Sequence, residues 1–127
     1  MDAALQQENQ YNGKQGEIVV ERWLPTRFPP PQYSIKWLNQ NSESGICHDF
    51  EITEVSTGRE IFVEVKASKT RNAMWWSRAE VQCAQRKGRD YLLIYVFDLA
   101  STSPQLVFRE DPWNSGYTLE RMMISII

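Results

Sequence analysis

Three carboxylates and one ammonium group lie in this sequence in a pattern that could do phosphate chemistry. They belong to Asp49, Glu51, Glu64 and Lys66, in two segments that alternate polar and apolar residues around a Ser-Thr-Gly-Arg turn sequence. This pattern predicts a β-hairpin. A symmetric four-residue loop at 56–59 would place Glu51 opposite Glu64 and Asp49 opposite Lys66, with all four side chains on one face.

Directly opposed like charges such as Glu51 and Glu64 destabilise a sheet unless a third group compensates them. A hard divalent cation such as Mg²⁺ binds carboxylate oxygens and would suit this cluster, including the diagonal Asp49. Phosphodiester hydrolysis needs such a cation and benefits from an adjacent ammonium, here Lys66. The alternative is an exposed strand face with an Asp49–Lys66 ion pair, which contributes less than about 1 kcal/mol. Spacing alone leaves both interpretations open.

The elements around the hairpin predict an α/β domain. Apolar residues at helical spacing predict a helix over 14–27 that ends at or soon after Pro25. A second helix is predicted from Ser77 to about Lys87, and Leu119, Met122, Met123, Ile126 and Ile127 fit a C-terminal helix. Strands are predicted at 33–38, 47–55, 60–67, 91–97 and 105–109. The order α-β-β-β-α-β predicts a mixed central sheet flanked by helices.

The second helix begins with the form of a capping box. Ser77 would be the N-cap and Glu80 the residue at position N3, and Gly88 would end the helix. This role by itself explains Glu80. A side chain at that position could also approach the acidic cluster from the helix.

Length and charge place the chain among ordinary globular domains. Its 127 residues suit a single domain, with a core over about 13–98 and a C-terminal extension over 99–127. The net charge of −2 excludes a strongly basic binder. Seven cations and one anion between Lys66 and Arg89 nevertheless give a local charge of +6. Such a segment could contact phosphate or form a solvated surface.

Cysteine usage and hydropathy bear on the compartment. Cys47 and Cys83 lie far apart in the sequence without paired spacing, which argues against a disulfide scaffold and for a reducing intracellular site, cytoplasmic or nuclear. No apolar run approaches the roughly 18 residues of a membrane span. We therefore expect no membrane partner.

The ordered motifs resemble the PD-(D/E)xK nuclease superfamily, which includes restriction endonucleases, archaeal Holliday-junction resolvases and repair exonucleases. Asp49 is followed fifteen residues later by Glu64-Val65-Lys66 at the end of a predicted strand. More narrowly, the chain from about 13 to 98 is similar to the C-terminal domain of the plant NO VEIN proteins. The motifs are Gly16-Glu17, Trp37-Leu38-Asn39, His48-Asp49-Phe50, Phe62-Val63-Glu64-Val65-Lys66-Ala67-Ser68 and Ser77-Arg78-Ala79-Glu80.

The resemblance implies a restriction-endonuclease-like fold and a nuclease dependent on Mg²⁺ or Mn²⁺. Asp49 and Glu64 would bind the metal, Glu17 would be a further acidic ligand, and Lys66 would be the catalytic lysine. The substrate would be DNA, or RNA, in repair, restriction or defence. Glu51 belongs to no part of the pattern, and it would be a supporting or exposed residue.

Other residues would act around this centre. His48 should point away from Asp49 and is expected to be buried or capping rather than a catalytic base. The resemblance also allows a homodimer and a larger protein with an ATPase or helicase. The alternative function is a non-catalytic module that binds nucleic acid or protein. The residues expected to contact nucleic acid beyond Lys66 are Lys69, Arg71, Arg78 and Gln82.

Overall fold

The computed structural model describes residues 3–38, 48–69, 74–76, 78–114 and 124–126. The helices are α1 (Ala3–Arg27) and α2 (Arg78–Lys87), and a 3₁₀ turn (Gly88–Asp90) follows α2. The strands are β1 (Tyr33–Trp37), β2 (Phe50–Glu54), β3 (Glu60–Ala67), β4 (Met74–Trp76), β5 (Tyr91–Phe97), β6 (Gln105–Glu110) and β7 (Ile124–Ile126).

Five strands form one mixed sheet in the order β1-β2-β3-β5-β6. The β3–β5 pair is parallel, whereas β1–β2, β2–β3 and β5–β6 are antiparallel. Because α2 lies between β3 and β5 in the chain, it provides the crossover that a parallel pair requires. The predicted α/β fold with an α-β-β-β-α-β core and a mixed central sheet is confirmed.

The sheet is covered by a helix on each face. Val20 and Leu24 of α1 are fully buried against the face that carries Phe50, Ile52, Val63 and Val65. On the other face, Val81, Cys83 and Ala84 of α2 pack with Tyr91 and Leu93 of β5. The polar side of the β2–β3 hairpin is therefore covered by α2 rather than open to solvent.

The first helix is longer than predicted, because it begins at Ala3 rather than near Lys14. Gln, Glu and Ala have good helix propensity, so the polar start can extend the helix without an apolar stripe. Pro25 lies within the last turn, where its missing N–H interrupts little of the remaining helix. At the end of α2, the predicted stop residue Gly88 has a left-handed φ of 53°.

The C-terminal helix prediction is wrong for Ile126. The segment Ile124–Ile126 is strand β7, which pairs in parallel with β4 in a separate two-stranded sheet. Its Ile-Ser-Ile sequence suits a strand because β-branched side chains favour extended backbone. The other members of that prediction, Leu119, Met122, Met123 and Ile127, lie outside the described residues, as does Ser77.

The cysteine spacing argued against a disulfide scaffold, but the structure contains a disulfide-bonded cysteine. Cys83 is fully buried in α2 and is disulfide-bonded, whereas Cys47 lies outside the described residues. Separation along the sequence does not limit the distance between two residues in the fold, and that distance decides pairing. The inference of a reducing compartment from unpaired cysteines therefore loses its basis. No helix in the described part of the chain is long and apolar enough to cross a membrane.

Gly16 allows α1 to approach β3 closely, and this contact leads to a stability prediction. A Cβ at Gly16 would lie 2.6 Å from Cβ of Ala67, which is fixed to the β3 backbone and cannot rotate away. Gly16→Ala should therefore destabilise the protein by about 1–3 kcal/mol through overpacking. Urea unfolding would measure the change.

Gly13→Ala is the matched control, because a Cβ there meets nothing within 4 Å. It should stabilise α1 by about 0.5–1 kcal/mol, the usual gain of alanine over glycine in a helix. Equal free energies of unfolding for the two variants would contradict the close approach of α1 to β3.

Candidate active site

The β2–β3 hairpin has the predicted faces but a different register. Glu51 pairs with Phe62, and the backbone bond from Glu54 N to Arg59 O closes a loop over 55–58. The loop thus lies one residue earlier than predicted, because Gly58 takes the left-handed position, with φ 75°, at its end. The predicted Glu51–Glu64 and Asp49–Lys66 pairs are therefore wrong. Moving the loop by one residue shifts the pairing by two, so each side chain stays on its predicted face.

Asp49 lies directly beside Glu64 in this register. Its backbone N–H donates to Val63 O at 2.7 Å, and its Oδ2 accepts a hydrogen bond from Val65 N at 2.8 Å. These two bonds fix Asp49 to the β3 backbone on either side of Glu64. The two carboxylates predicted to act together are therefore closer neighbours than the predicted diagonal placement implied.

Glu64 is the most buried acid of the cluster, with 6% of its surface exposed. Burial raises the pKa of Glu64 well above its ordinary value of 4.5. The charge of Asp49, a hydrogen bond with Glu80 and the charge of Glu80 raise the pKa further, and the charge of Lys66 opposes them. Glu64 therefore holds its proton more firmly than an exposed glutamate does.

Lys66 is held by Glu80 of α2. Its Nζ donates to Oε1 of Glu80 at 2.6 Å and to Oε2 at 2.7 Å, whereas Oε1 of Glu64 lies 3.8 Å away. The preference for a purely capping role of Glu80 is corrected, because both of its oxygens accept from Lys66. Sequence reasoning could not choose between these roles, since only the packing of α2 on the sheet brings Glu80 to β3.

Tyr91 is a further member of the cluster that the sequence did not indicate. It is fully buried at the start of β5, next to Phe62 in the parallel β3–β5 register. Burial raises its pKa, and the charges of Glu64, Glu80 and Asp49 add to that effect. Tyr91 begins a continuous hydrophobic strand, so the sequence gives no sign that it lies near Glu64 and Glu80.

Glu17 approaches the cluster from α1. Its Oε1 accepts a hydrogen bond from Trp37 Nε1 at 2.8 Å, and Lys14 Nζ lies 4.5 Å from the centre of the same ring. Partial burial raises the pKa of Glu17, the bond from Trp37 opposes that shift, and the charge of Asp49 raises the pKa further. Glu17 is therefore within electrostatic range of Asp49 but is oriented by Trp37.

The donor chemistry of Asp49 and Glu64 suits a hard cation, because both are carboxylates and Mg²⁺ is commonly bound by only one or two of them. Among the described residues, no group of three His, Cys, Asp or Glu side chains could hold a metal ion. The pair therefore fits Mg²⁺ or Mn²⁺ only if water or phosphate oxygens complete the coordination.

His48 and Glu51 form a separate pair next to this centre. His48 is buried, as predicted, and its Nε2 lies 3.1 Å from Oε1 of Glu51. Its ring packs edge-on to Phe62, with 4.8 Å between centroids. Phe62 shares a face with Glu64, so the prediction that His48 points away from that face is wrong. The alternation fails because His48 and Asp49 precede the first residue of β2.

The residues predicted to bind nucleic acid lie on exposed surface where they are described. Lys69 follows β3, and Arg78 and Gln82 lie on α2. The outward face of α2 also exposes Gln85 and Arg86. Arg71 lies outside the described residues. The structure thus places Arg78 and Gln82 on the side of α2 opposite Val81 and Ala84, the residues that pack on the sheet.

The sequence matches the family described as "Protein NO VEIN, C-terminal" over residues 2–109. The chain belongs to this family. The match includes α1, the β2–β3 hairpin, α2 and β5, and it confirms the narrower of the two resemblances. No solved structure matches the chain.

Two proteins of Arabidopsis thaliana are similar to this NO VEIN C-terminal family member. "Protein NO VEIN-LIKE" and "Protein NO VEIN" are each 30% identical to it over 89 residues, or 68% of the chain. The matched region spans 13% of the first protein and 3% of the second. The chain thus corresponds to a small part of these relatives.

Proposed function

We propose that this NO VEIN C-terminal family member is a nuclease that hydrolyses phosphodiester bonds of DNA, or RNA, with Mg²⁺ or Mn²⁺. The observation that carries the proposal is the meeting of Asp49, Glu64 and Lys66 at the end of β3. Asp49 is fixed to β3 on both sides of Glu64, and Lys66 Nζ lies 3.8 Å from Glu64 Oε1. Two carboxylates beside an ammonium form a suitable centre for phosphoryl transfer.

Each residue has a distinct role in this proposal. Asp49 and Glu64 would hold the cation, which supplies Lewis-acid polarisation of the phosphodiester. Lys66 would stabilise the negative charge that develops on the phosphoryl oxygens. Glu17 would be a further acidic ligand from α1. One of its carboxylate oxygens already accepts a hydrogen bond from Trp37 Nε1, which orients the side chain. In the net reaction, a water oxygen bonds to phosphorus, one ester P–O bond breaks, and the leaving oxygen takes up a proton.

Burial of Glu64 affects the expected cation affinity. A cation and a proton compete for Glu64, whose pKa is raised chiefly by burial. We therefore expect cation binding to strengthen as the pH rises from acidic values towards neutrality. Burial also strengthens the attraction between cation and carboxylate, because little water screens their charges.

The outward face of α2 supports a polyanionic substrate. Within the described residues, neither Arg78 nor Arg86 of α2 makes a salt bridge, and Arg89 in the turn after α2 makes none. The guanidinium groups are thus available to phosphate oxygens, and Gln82 adds an amide on the same face. A nucleic-acid backbone along α2 would pass Arg78, which lies two residues from Glu80. A second copy of the chain in a homodimer, or an ATPase or helicase elsewhere in a longer protein, would add to this contact surface for nucleic acid.

Cleavage and metal binding can be tested together with Asp49→Asn. The wild type should cut plasmid DNA when Mg²⁺ or Mn²⁺ is added and should stop when the metal is chelated. Saturating cation should raise its melting temperature, because a ligand that binds only the folded state stabilises it. Asp49→Asn should lose both effects, since an amide oxygen carries no charge for the cation.

Glu60→Gln is the control for this test, because Glu60 is an exposed carboxylate at the opposite end of β3. It should keep both cleavage and the metal response. A wild type that cuts no DNA or RNA with either metal would overturn the nuclease proposal.

The second candidate is a non-catalytic module that binds nucleic acid or protein. The observation that favours it is the closed Lys66–Glu80 pair, in which both Glu80 oxygens are occupied by Lys66. Binding of nucleic acid that is the same for the wild type and Asp49→Asn, without cleavage or a metal response, would support this module.

A further inference from the structure

We propose that Glu80 is the residue that positions Lys66 for catalysis. This inference rests on the proposed nuclease function, because it assigns the support of the catalytic ammonium. Glu64 and Lys66 lie on one face of β3 because they are two residues apart on the same strand. Glu80 is brought to them from a different element, α2, and only in the folded protein.

The distances identify Glu80 as the group that fixes the ammonium. Both Glu80 oxygens accept from Lys66 Nζ, at 2.6 and 2.7 Å. Glu64 Oε1, at 3.8 Å, is beyond hydrogen-bonding distance from the same nitrogen. Glu64 therefore does not fix the position of the Lys66 ammonium, whereas Glu80 fixes both its distance and its direction.

The surroundings of the pair make this contact effective. The side chains of Lys66 and Glu80 are 19% and 17% exposed, so solvent screens their attraction only in part. A flexible four-carbon stem leaves a lysine ammonium many positions unless a partner restricts it. A two-bond, charge-assisted contact from a second element provides that restriction.

Glu80 also connects the ammonium to the acidic pair. It is hydrogen-bonded to Glu64, as well as to Lys66. Its place in the first turn of α2 is set by Val81 and Ala84, which are buried against the sheet. The packing of α2 on the sheet thereby sets the position of the Lys66 ammonium relative to Glu64.

The test compares Glu80→Gln with wild type by competitive acetylation of lysines with acetic anhydride, read by peptide mass spectrometry. An amine whose nitrogen is held by two hydrogen bonds to a carboxylate reacts slowly, because the reagent must displace that carboxylate to reach it. We expect Lys66 to be acetylated about tenfold faster in Glu80→Gln, the change for loss of one charge-assisted hydrogen bond. Lys36, exposed on β1, should react at the same rate in both proteins.

Two further variants make the comparison specific. Glu60→Gln removes an exposed carboxylate from the other end of β3 and should leave Lys66 as slow as in the wild type. Glu80→Asp keeps the negative charge but shortens the side chain by one methylene. The acetylation rate of Lys66 in this variant should therefore lie between the rates in the wild type and in Glu80→Gln. If Glu80→Gln does not fold, Glu80→Asp supplies the decisive rate. Equal Lys66 rates in the wild type and the Glu80 variants would overturn the proposal.

Steady-state cleavage separates positioning from a purely structural role. Glu80→Gln should lower kcat by about 10-fold to 100-fold, the usual effect of removing a supporting contact, with KM within twofold of the wild type. Faster acetylation of Lys66 with an unchanged kcat would overturn the positioning role. A wild type without cleavage would overturn the nuclease function instead, and the acetylation rates would still decide whether Glu80 holds Lys66.

Discussion

Lys66→Met is expected to lower the rate of metal-dependent DNA cleavage by about 10²-fold to 10³-fold, as removal of one charge-stabilising donor does in other enzymes. Methionine keeps an unbranched stem of similar length but has no charge to offer the phosphoryl oxygens. Lys66 is buried to about four-fifths at the end of β3, with Glu80 on its ammonium. The initial rate of plasmid cleavage at saturating Mg²⁺ measures the effect.

The same substitution leaves Glu80 without its main partner. A largely buried carboxylate that loses a charged hydrogen bond costs about 1–3 kcal/mol of stability, so the assay must be run well below the melting temperature of the variant. Lys36→Met is the control, because Lys36 is an exposed lysine on β1. A Lys66→Met protein that cuts at the wild-type rate would show that the ammonium takes no part in the reaction.

Glu64→Gln is expected to make the protein more stable than the wild type at neutral and alkaline pH. The pKa of Glu64 is raised in the folded state above its ordinary value of 4.5, with burial as the largest cause. Above about pH 4.5, the folded protein therefore binds more protons at this site than the unfolded chain does. The free energy of unfolding must fall as the pH rises through this window, until Glu64 ionises in the folded state as well.

Glutamine cannot ionise, so the variant should not show this fall. Thermal unfolding from pH 4 to pH 9 should give melting temperatures that are similar near pH 4 and diverge in favour of Glu64→Gln at higher pH. Glu60→Gln should follow the wild-type curve, because its carboxylate is exposed. Parallel curves for wild type and Glu64→Gln would contradict the burial of a costly carboxylate in this centre.

A Glu64→Gln protein that is more stable than the wild type but inactive would indicate that Glu64 serves function at the expense of stability. Residues that bind cations or substrates often lower the stability of the free protein, because the bound cation or substrate that would neutralise their charge is absent. Among the described residues, the charge of Lys66 favours ionisation of Glu64, whereas the charges of Asp49 and Glu80 oppose it. A divalent cation would reverse that balance, so the stability gain of Glu64→Gln should shrink when Mg²⁺ saturates the wild type.

Local pattern was sufficient for the parts of this fold that depend on near neighbours. The bounds of β3 and β5 were predicted as the structure has them, at Glu60–Ala67 and Tyr91–Phe97. Alternation on β3 also placed Glu64 and Lys66 on one face, because residues two apart on a strand always share a face. The short motifs around these residues carried the family resemblance that the comparison confirmed.

Turn geometry and contacts between distant segments decided the rest. The position of Gly58 in the turn set the hairpin register, which placed Asp49 rather than Glu51 beside Glu64. The packing of α2 and β5 on the sheet brought Glu80 and Tyr91 to the same cluster.

By itself, the sequence determined which side chains share a strand face, because that follows from the geometry of a single extended backbone. Only the tertiary structure decided which side chains from other elements meet that face, how deeply Glu64 is buried, and which carboxylate holds Lys66. These three features depend on how whole helices and strands pack together, and periodicity along one segment contains no information about that packing.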